Sequence, residues 1–107
     1  AVAHLARLGF DIIERDWRPR GYGVRGDLDV IARRRDAGGQ LIVVCEVKAR
    51  RAGAPGGAVG AITPAKQEQI RRLTQLWLHE QGDPDVRLRF DVIAIDGVRL
   101  THYDDAF

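Results

Sequence analysis

The chain has 107 residues, 45% of them hydrophobic and 30% charged, with a formal net charge of +2. That length supports one domain, spanning residues 1–107, with a core that needs no covalent staple. A single cysteine excludes an intrachain disulfide and a cysteine-based zinc cluster. No apolar run reaches the length of a membrane span and no signal peptide is visible, so the cytoplasm is the expected compartment.

Ala1 to Leu8 reads as the tail of a helix closed by Gly9. There is no Met, position 1 included, so this helix is expected to begin upstream of residue 1. Asp11 to Trp17 alternates weakly and suits a strand, with Ile12, Ile13 and Trp17 turned to the core. Pro19, Gly21, Gly23 and Gly26 then make a loose loop that carries Arg18, Arg20 and Arg25. Asp27, Leu28, Asp29, Val30, Ile31 and Ala32 alternate acid with apolar, a second strand. Asp36, Ala37, Gly38 and Gly39 form a turn signal of hairpin length. The third strand runs Leu41, Ile42, Val43, Val44, Cys45, Glu46, Val47, Lys48, with Cys45 a small buried hydrophobe.

Ala52 to Gly60 is expected to be a mobile loop; its glycines lack the Lys and helix of a phosphate-binding pattern. Thr63 and Pro64 read as a helix cap and first turn. Ile70, Leu73, Leu76 and Trp77 form the apolar stripe of that helix, and Gln67 starts its inward side, aimed at one end of the sheet. Gly82, Asp83 and Pro84 end it. Arg89 to Ile95 is an apolar strand interrupted by Asp91, and Asp96 and Gly97 turn it into a last strand, Val98 to Tyr103. Asp104 and Asp105 read as tail charges. His4, His79 and His102 are far apart in the chain without metal-ligand spacing, so they read as surface or structural residues.

The third strand carries the chemistry. Strand side chains alternate faces, so Glu46 and Lys48 share one face, roughly 6–7 Å apart. A hairpin symmetric about its turn pairs Asp29 with Glu46 and Asp27 with Lys48. Two carboxylates directly opposed destabilise an antiparallel pair, and a divalent cation between them reverses that sign. An acid at a strand end is usually just solvated. Here the apolar lead-in, the hairpin-length turn and the opposing Asp together favour a site.

Fifteen of the seventeen cations are Arg, and only Lys48 and Lys66 are lysines. An ammonium is a compact point charge where guanidinium is a rigid fork, so a site that must touch water or one phosphate oxygen does not exchange them freely. The cations cluster, and such clusters track a phosphate backbone. Arg25, Arg50, Arg51 and Lys66, flanking the acids, are candidate nucleic-acid contacts.

The order helix, three strands, helix, strands, with Asp29 followed by Glu46, Val47 and Lys48, resembles the restriction-endonuclease-like fold of the PD-(D/E)XK nucleases. The whole chain is similar to the YraN-like family of small bacterial proteins thought to be endonucleases. The matching stretches are Gly26 to Ala32, Cys45 to Lys48, Thr63 and Pro64 with Lys66 and Gln67, Arg89 to Val92, and Asp105 to Phe107. The resemblance implies an α/β fold with a central mixed β-sheet flanked by helices and an αβββαβ core. It further implies that Asp29, Glu46 and the Val47 carbonyl bind Mg²⁺ or Mn²⁺, that Lys48 assists the attacking water, and that Gln67 supports the site. Asp27 stands where the family usually has Glu, a shorter arm with the same charge. The implied activity is endonucleolytic hydrolysis of nucleic acid, DNA ahead of RNA, with a homodimer one open arrangement. Two other readings stay open: a noncatalytic nucleic-acid-binding module, and an interaction subunit using Trp17, Trp77 and the strand edges.

Overall fold

A computed structural model of the chain describes residues 1–50 and 62–107. Arg51 and the glycine-rich segment expected at 52–60 lie outside the described residues. The elements are α1 (Val2–Arg7), β1 (Asp11–Trp17), β2 (Leu28–Asp36), β3 (Gly39–Arg50), α2 (Pro64–Glu80), β4 (Arg87–Asp96) and β5 (Arg99–Tyr103). They build one five-stranded sheet in the order β1-β2-β3-β4-β5. Its neighbours run antiparallel except β3 and β4, which are parallel across the α2 connection. This is the mixed sheet with flanking helices, in the αβββαβ order of a restriction-endonuclease-like core, that the sequence led us to expect.

Alternation along the strands divides the core into two layers. Val30, Ala32, Leu41, Val43, Cys45 and Ile93 face one side, where Leu5 of α1 and Phe10 cover them. Ile31, Ile42 and Val44 face the other, against Ile70, Leu73 and Trp77 of α2. β3 is central and covered on both faces, so Leu41 through Cys45 are all buried, and the run is continuously apolar rather than alternating. On the edge, Ile12, Ile13 and Trp17 of β1 are only partly buried, each packed against one of the two layers.

The hairpin joining β2 to β3 forms in the expected register, from Val30↔Cys45 to Asp36↔Gly39. Asp36 nucleates it by accepting a hydrogen bond from the Gly38 N–H at 2.8 Å, and Gly39 takes the positive φ of 99° that the turn requires. Helix α2 starts as its sequence indicates: the Thr63 hydroxyl accepts from the Lys66 N–H at 3.1 Å, with Pro64 in the first turn. Its buried stripe is Ile70, Leu73, Thr74, Trp77 and Leu78. Leu76 is only half-buried, and Thr74 is accommodated because its hydroxyl donates to the Ile70 carbonyl at 2.8 Å.

Gly26 sets where β2 begins. Its φ is 116°, and a Cβ there would lie 2.5 Å from Nε2 of Gln69, which itself donates to the Arg25 carbonyl at 3.0 Å. Only glycine lets the chain pass this close to α2. The C-terminal tail is also held: the Asp105 N–H donates to Asp91, the Ala106 N–H to the Phe90 carbonyl, and Phe107 stacks on Phe90 with centroids 5.4 Å apart. Asp104 and Asp105 are exposed as expected, but the Asp105 backbone is tied into the fold.

Candidate functional site

The site forms where β2 and β3 part. Their last ladder pair is Val30↔Cys45, and one step beyond it the Asp29 carboxylate takes over the missing backbone partner. Its Oδ2 accepts from the Val47 N–H at 2.8 Å. In an extended strand the N–H and C=O of one residue point to the same edge. The Val47 carbonyl therefore opens toward Asp29 too, beyond the last β2–β3 pair.

Glu46 is 7% exposed, a carboxylate at the rim of the core. Lys48 Nζ, two residues along the strand, lies 3.9 Å from its Oε1, and Lys66 Nζ, reaching from the first turn of α2, lies 3.9 Å from the same atom. Both lysines of the chain thus converge on one buried carboxylate oxygen. Burial first, then the charge of Asp29, push the Glu46 carboxyl up to about 7 in spite of the two ammoniums. Asp29 is raised as well, chiefly by burial, with the Val47 N–H opposing the shift and the Asp27 charge adding to it. For both acids, burial is the larger cause.

Two further carboxylates join them. Oxygen atoms of Asp16, Asp27 and Asp29 lie within 4.8 Å of one another. Asp16 sits in β1 next to a bulged stretch, at a φ of 50° that non-glycine residues rarely adopt. A hollow of about 490 Å³ opens beside the acids, lined by Val2 of α1, Arg15, Asp16, Asp29, Val47 and Ile95. Asp29, Glu46 and the Val47 carbonyl are hard oxygen donors, a set that fits Mg²⁺ or Mn²⁺ rather than a softer metal.

The expected pairing of Asp29 with Glu46 and of Asp27 with Lys48 needs correction, because the β2–β3 ladder ends at Val30↔Cys45. Asp27 does not pair with Lys48: β2 starts at Leu28, and Asp27 instead meets Arg18 at 3.7 Å while Lys48 meets Glu46. Gln67 turns its amide to the Ile62 carbonyl at 3.1 Å, so it braces the approach to α2. Lys66, a candidate nucleic-acid contact, lies beside Glu46 with its side chain 30% exposed. Arg25 is exposed beside Asp27, and Arg50 ends β3.

Asp16 carried no sequence signal beyond its place in a weakly alternating strand. The histidines take the surface and structural places expected of them, with His79 exposed and the other two joined in one network. His4 Nε2 and His102 Nδ1 are 2.9 Å apart, and His102 Nε2 lies 2.7 Å from Oδ2 of the fully buried Asp91. Arg89 grips the same carboxylate through two hydrogen bonds of 2.9 Å. An acid interrupting an apolar strand was the available signal.

Fold and site together define an α/β domain whose mixed sheet opens at one end onto clustered carboxylates and two lysines. Residues 1–95 match the uncharacterised protein family UPF0102. The chain is 42% identical over 112 residues to a UPF0102 protein of Geobacter sulfurreducens, covering 100% of this chain and 81% of the relative. It is 42% identical over 97 residues to one of Kineococcus radiotolerans, covering 89% and 72%, and 38% identical over 96 residues to one of Streptomyces coelicolor, covering 89% and 68%. The chain belongs to the UPF0102 family. Among the described residues no helix is long and apolar enough to cross a membrane.

Proposed function

We propose that this protein is a Mg²⁺- or Mn²⁺-dependent nuclease that hydrolyses phosphodiester bonds, in DNA ahead of RNA. The observation that carries the reading is the convergence of Lys48 and Lys66 on the buried Glu46, beside an Asp29 whose carboxyl is also raised. A structural ion pair needs one cation for one acid. Buried hard-oxygen acids with two lysines beside them, at the open end of a sheet, suit a site completed by a divalent cation.

Asp29, Glu46 and the Val47 carbonyl would hold the metal. When bound, it lowers the pKa of a coordinated water and neutralises charge that develops on the phosphate. The protein does the rest by position. Lys48, on the same strand face as Glu46, would orient the attacking water and take up or donate a proton at Nζ. Val47 fixes Asp29 through its N–H, so one carboxylate oxygen is occupied and the other is left for the cation. Arg25 and Arg50 are the candidates to bind the phosphates that flank the reacting one.

The test is a cleavage assay with Mn²⁺ on linear, flapped, branched and single-stranded DNA, and on RNA, run beside Glu46→Gln. Cleavage by the wild type that is lost in Glu46→Gln is the expected result. Binding that is salt-sensitive but never followed by cleavage on any substrate would replace this reading with that of a noncatalytic binding module.

A further inference from the structure

Glu46 Oε1 has two ammoniums at 3.9 Å, one from its own strand and one from α2. The two lysines are not equivalent. Lys48 springs from the same central strand, two residues from Glu46, and its side chain is 32% exposed. Lys66 reaches in from the first turn of a helix on a long flexible stem, and its side chain is 30% exposed. Its backbone is fixed by Thr63, so the stem alone is free to swing.

A dication at Glu46 takes over the charge balance that Lys66 provides in its absence. Lys66 is then released from that oxygen and, on its flexible stem beside Glu46, is within reach of a phosphate held next to the same metal. We propose that Lys66 is a second lysine of the site, which neutralises Glu46 in the metal-free protein, yields it to the metal, and transfers to a non-bridging oxygen of the substrate phosphate. This rests on the metal-dependent reading above. It assigns Lys66 a place in that site rather than on the backbone beyond it, and it makes the metal-free state a latent one.

The competition is measurable without turnover. Calorimetric titration of the full chain with Mn²⁺ at pH 8, without nucleic acid, compares wild type with Lys66→Gln, Lys66→Arg and Arg25→Gln. Lys66→Gln removes the competing cation and is expected to bind Mn²⁺ about tenfold more tightly, the scale on which one opposite charge at this distance acts on a carboxylate. Lys66→Arg keeps the charge and should stay close to wild type, and Arg25→Gln, an exposed cation with no contact to Glu46, should change affinity by less than twofold. The second measurement is affinity for a short DNA strand with Ca²⁺ in place of Mn²⁺. The gain in affinity that the metal confers on the wild type should fall about tenfold in Lys66→Gln.

Equal Mn²⁺ affinity in Lys66→Gln and Arg25→Gln overturns the proposal, because Lys66 would then be one more surface charge. A tightened Mn²⁺ affinity with an undiminished metal-dependent gain for DNA overturns the transfer to phosphate. Failure of the nuclease reading looks different: no Mn²⁺ binding in the wild type, or Mn²⁺ binding with the Lys66 competition intact but no cleavage of any substrate. The first of these removes this inference as well, and the second leaves the competition standing.

Discussion

Glu46 is a residue that the fold tolerates at a cost. Its carboxyl is raised from an ordinary value of 4.5 to about 7, first by burial and then by Asp29. The folded state therefore holds the Glu46 proton more tightly than the unfolded chain does. The resulting stability is fully present below pH 4.5 and is lost as pH rises through 7. In metal-free protein, the difference in urea midpoint between Glu46→Gln and wild type should be smallest near pH 4.5 and widest at pH 8, with the variant the more stable. A constant difference across that range would mean that Glu46 is ionised in both states. Lys48→Arg tests the neighbour. It keeps the charge but replaces a compact donor with a wider fork, and cleavage should fall roughly a hundredfold, the scale of losing a positioned catalytic group, with DNA affinity little changed. Wild-type cleavage rates in Lys48→Arg would leave Lys48 with no specific chemical role.

At the scale of elements, α1, described from Val2 to Arg7, is held by tertiary contacts. Leu5 anchors it in the core, and His4 ties it to His102 on β5, which is in turn oriented by Asp91 on β4. Its Val2 also lines the hollow beside Asp29, so the seating of this helix shapes the site. The His4 pKa is lowered by burial, and then by the His102 and Arg7 charges. Its contribution to stability is thus present above pH 6.5 and lost as pH falls through the folded value. Protection of the α1 amides, relative to their intrinsic exchange rate at each pH, should fall as pH drops from 7.5 to 5.5 in the wild type. His4→Gln should reduce that pH dependence, and an unchanged profile would show that His4 does not govern the seating of α1.

Asp91 is the centre of the same cluster, with no exposed surface and four hydrogen-bond donors: two from Arg89, one from His102 and the Asp105 N–H. Those donors hold its pKa below the usual carboxylate range although burial pushes the other way. Removing one partner of a buried charge pair is costly because the other is left uncompensated. Asp91→Ala should lower stability by about 3 kcal/mol in urea unfolding. A loss below 1 kcal/mol would mean that the cluster relaxes to solvent.

For the whole molecule, a cation that binds only the folded site stabilises it by mass action, about 2.7 kcal/mol at a hundred times the dissociation constant. Mn²⁺ should raise the melting temperature of the wild type and leave that of Glu46→Gln unmoved. Equal shifts in both would place the ion elsewhere, with the Asp16, Asp27 and Asp29 cluster the first alternative.

The hairpin register was legible because it depends on neighbours in the chain: a turn at Asp36–Gly39 and alternation on either side leave one pairing that buries Val30, Ile31, Val43 and Val44. The caps of α2, the central position of β3 and the presence of Glu46 and Lys48 on one face follow from the same short-range rules. Contacts between distant segments do not. No local pattern says that Lys66, eighteen positions beyond Lys48, comes to the same carboxylate oxygen, because that depends on how α2 crosses back over the sheet. The arrival of Asp16 beside Asp29 depends on a bulge in β1, and the meeting of His4 with His102, 98 residues apart, on both ends of the chain packing against β4 and β5. Short-range pattern decides which face a side chain takes, and only the packing of whole elements decides what it meets there.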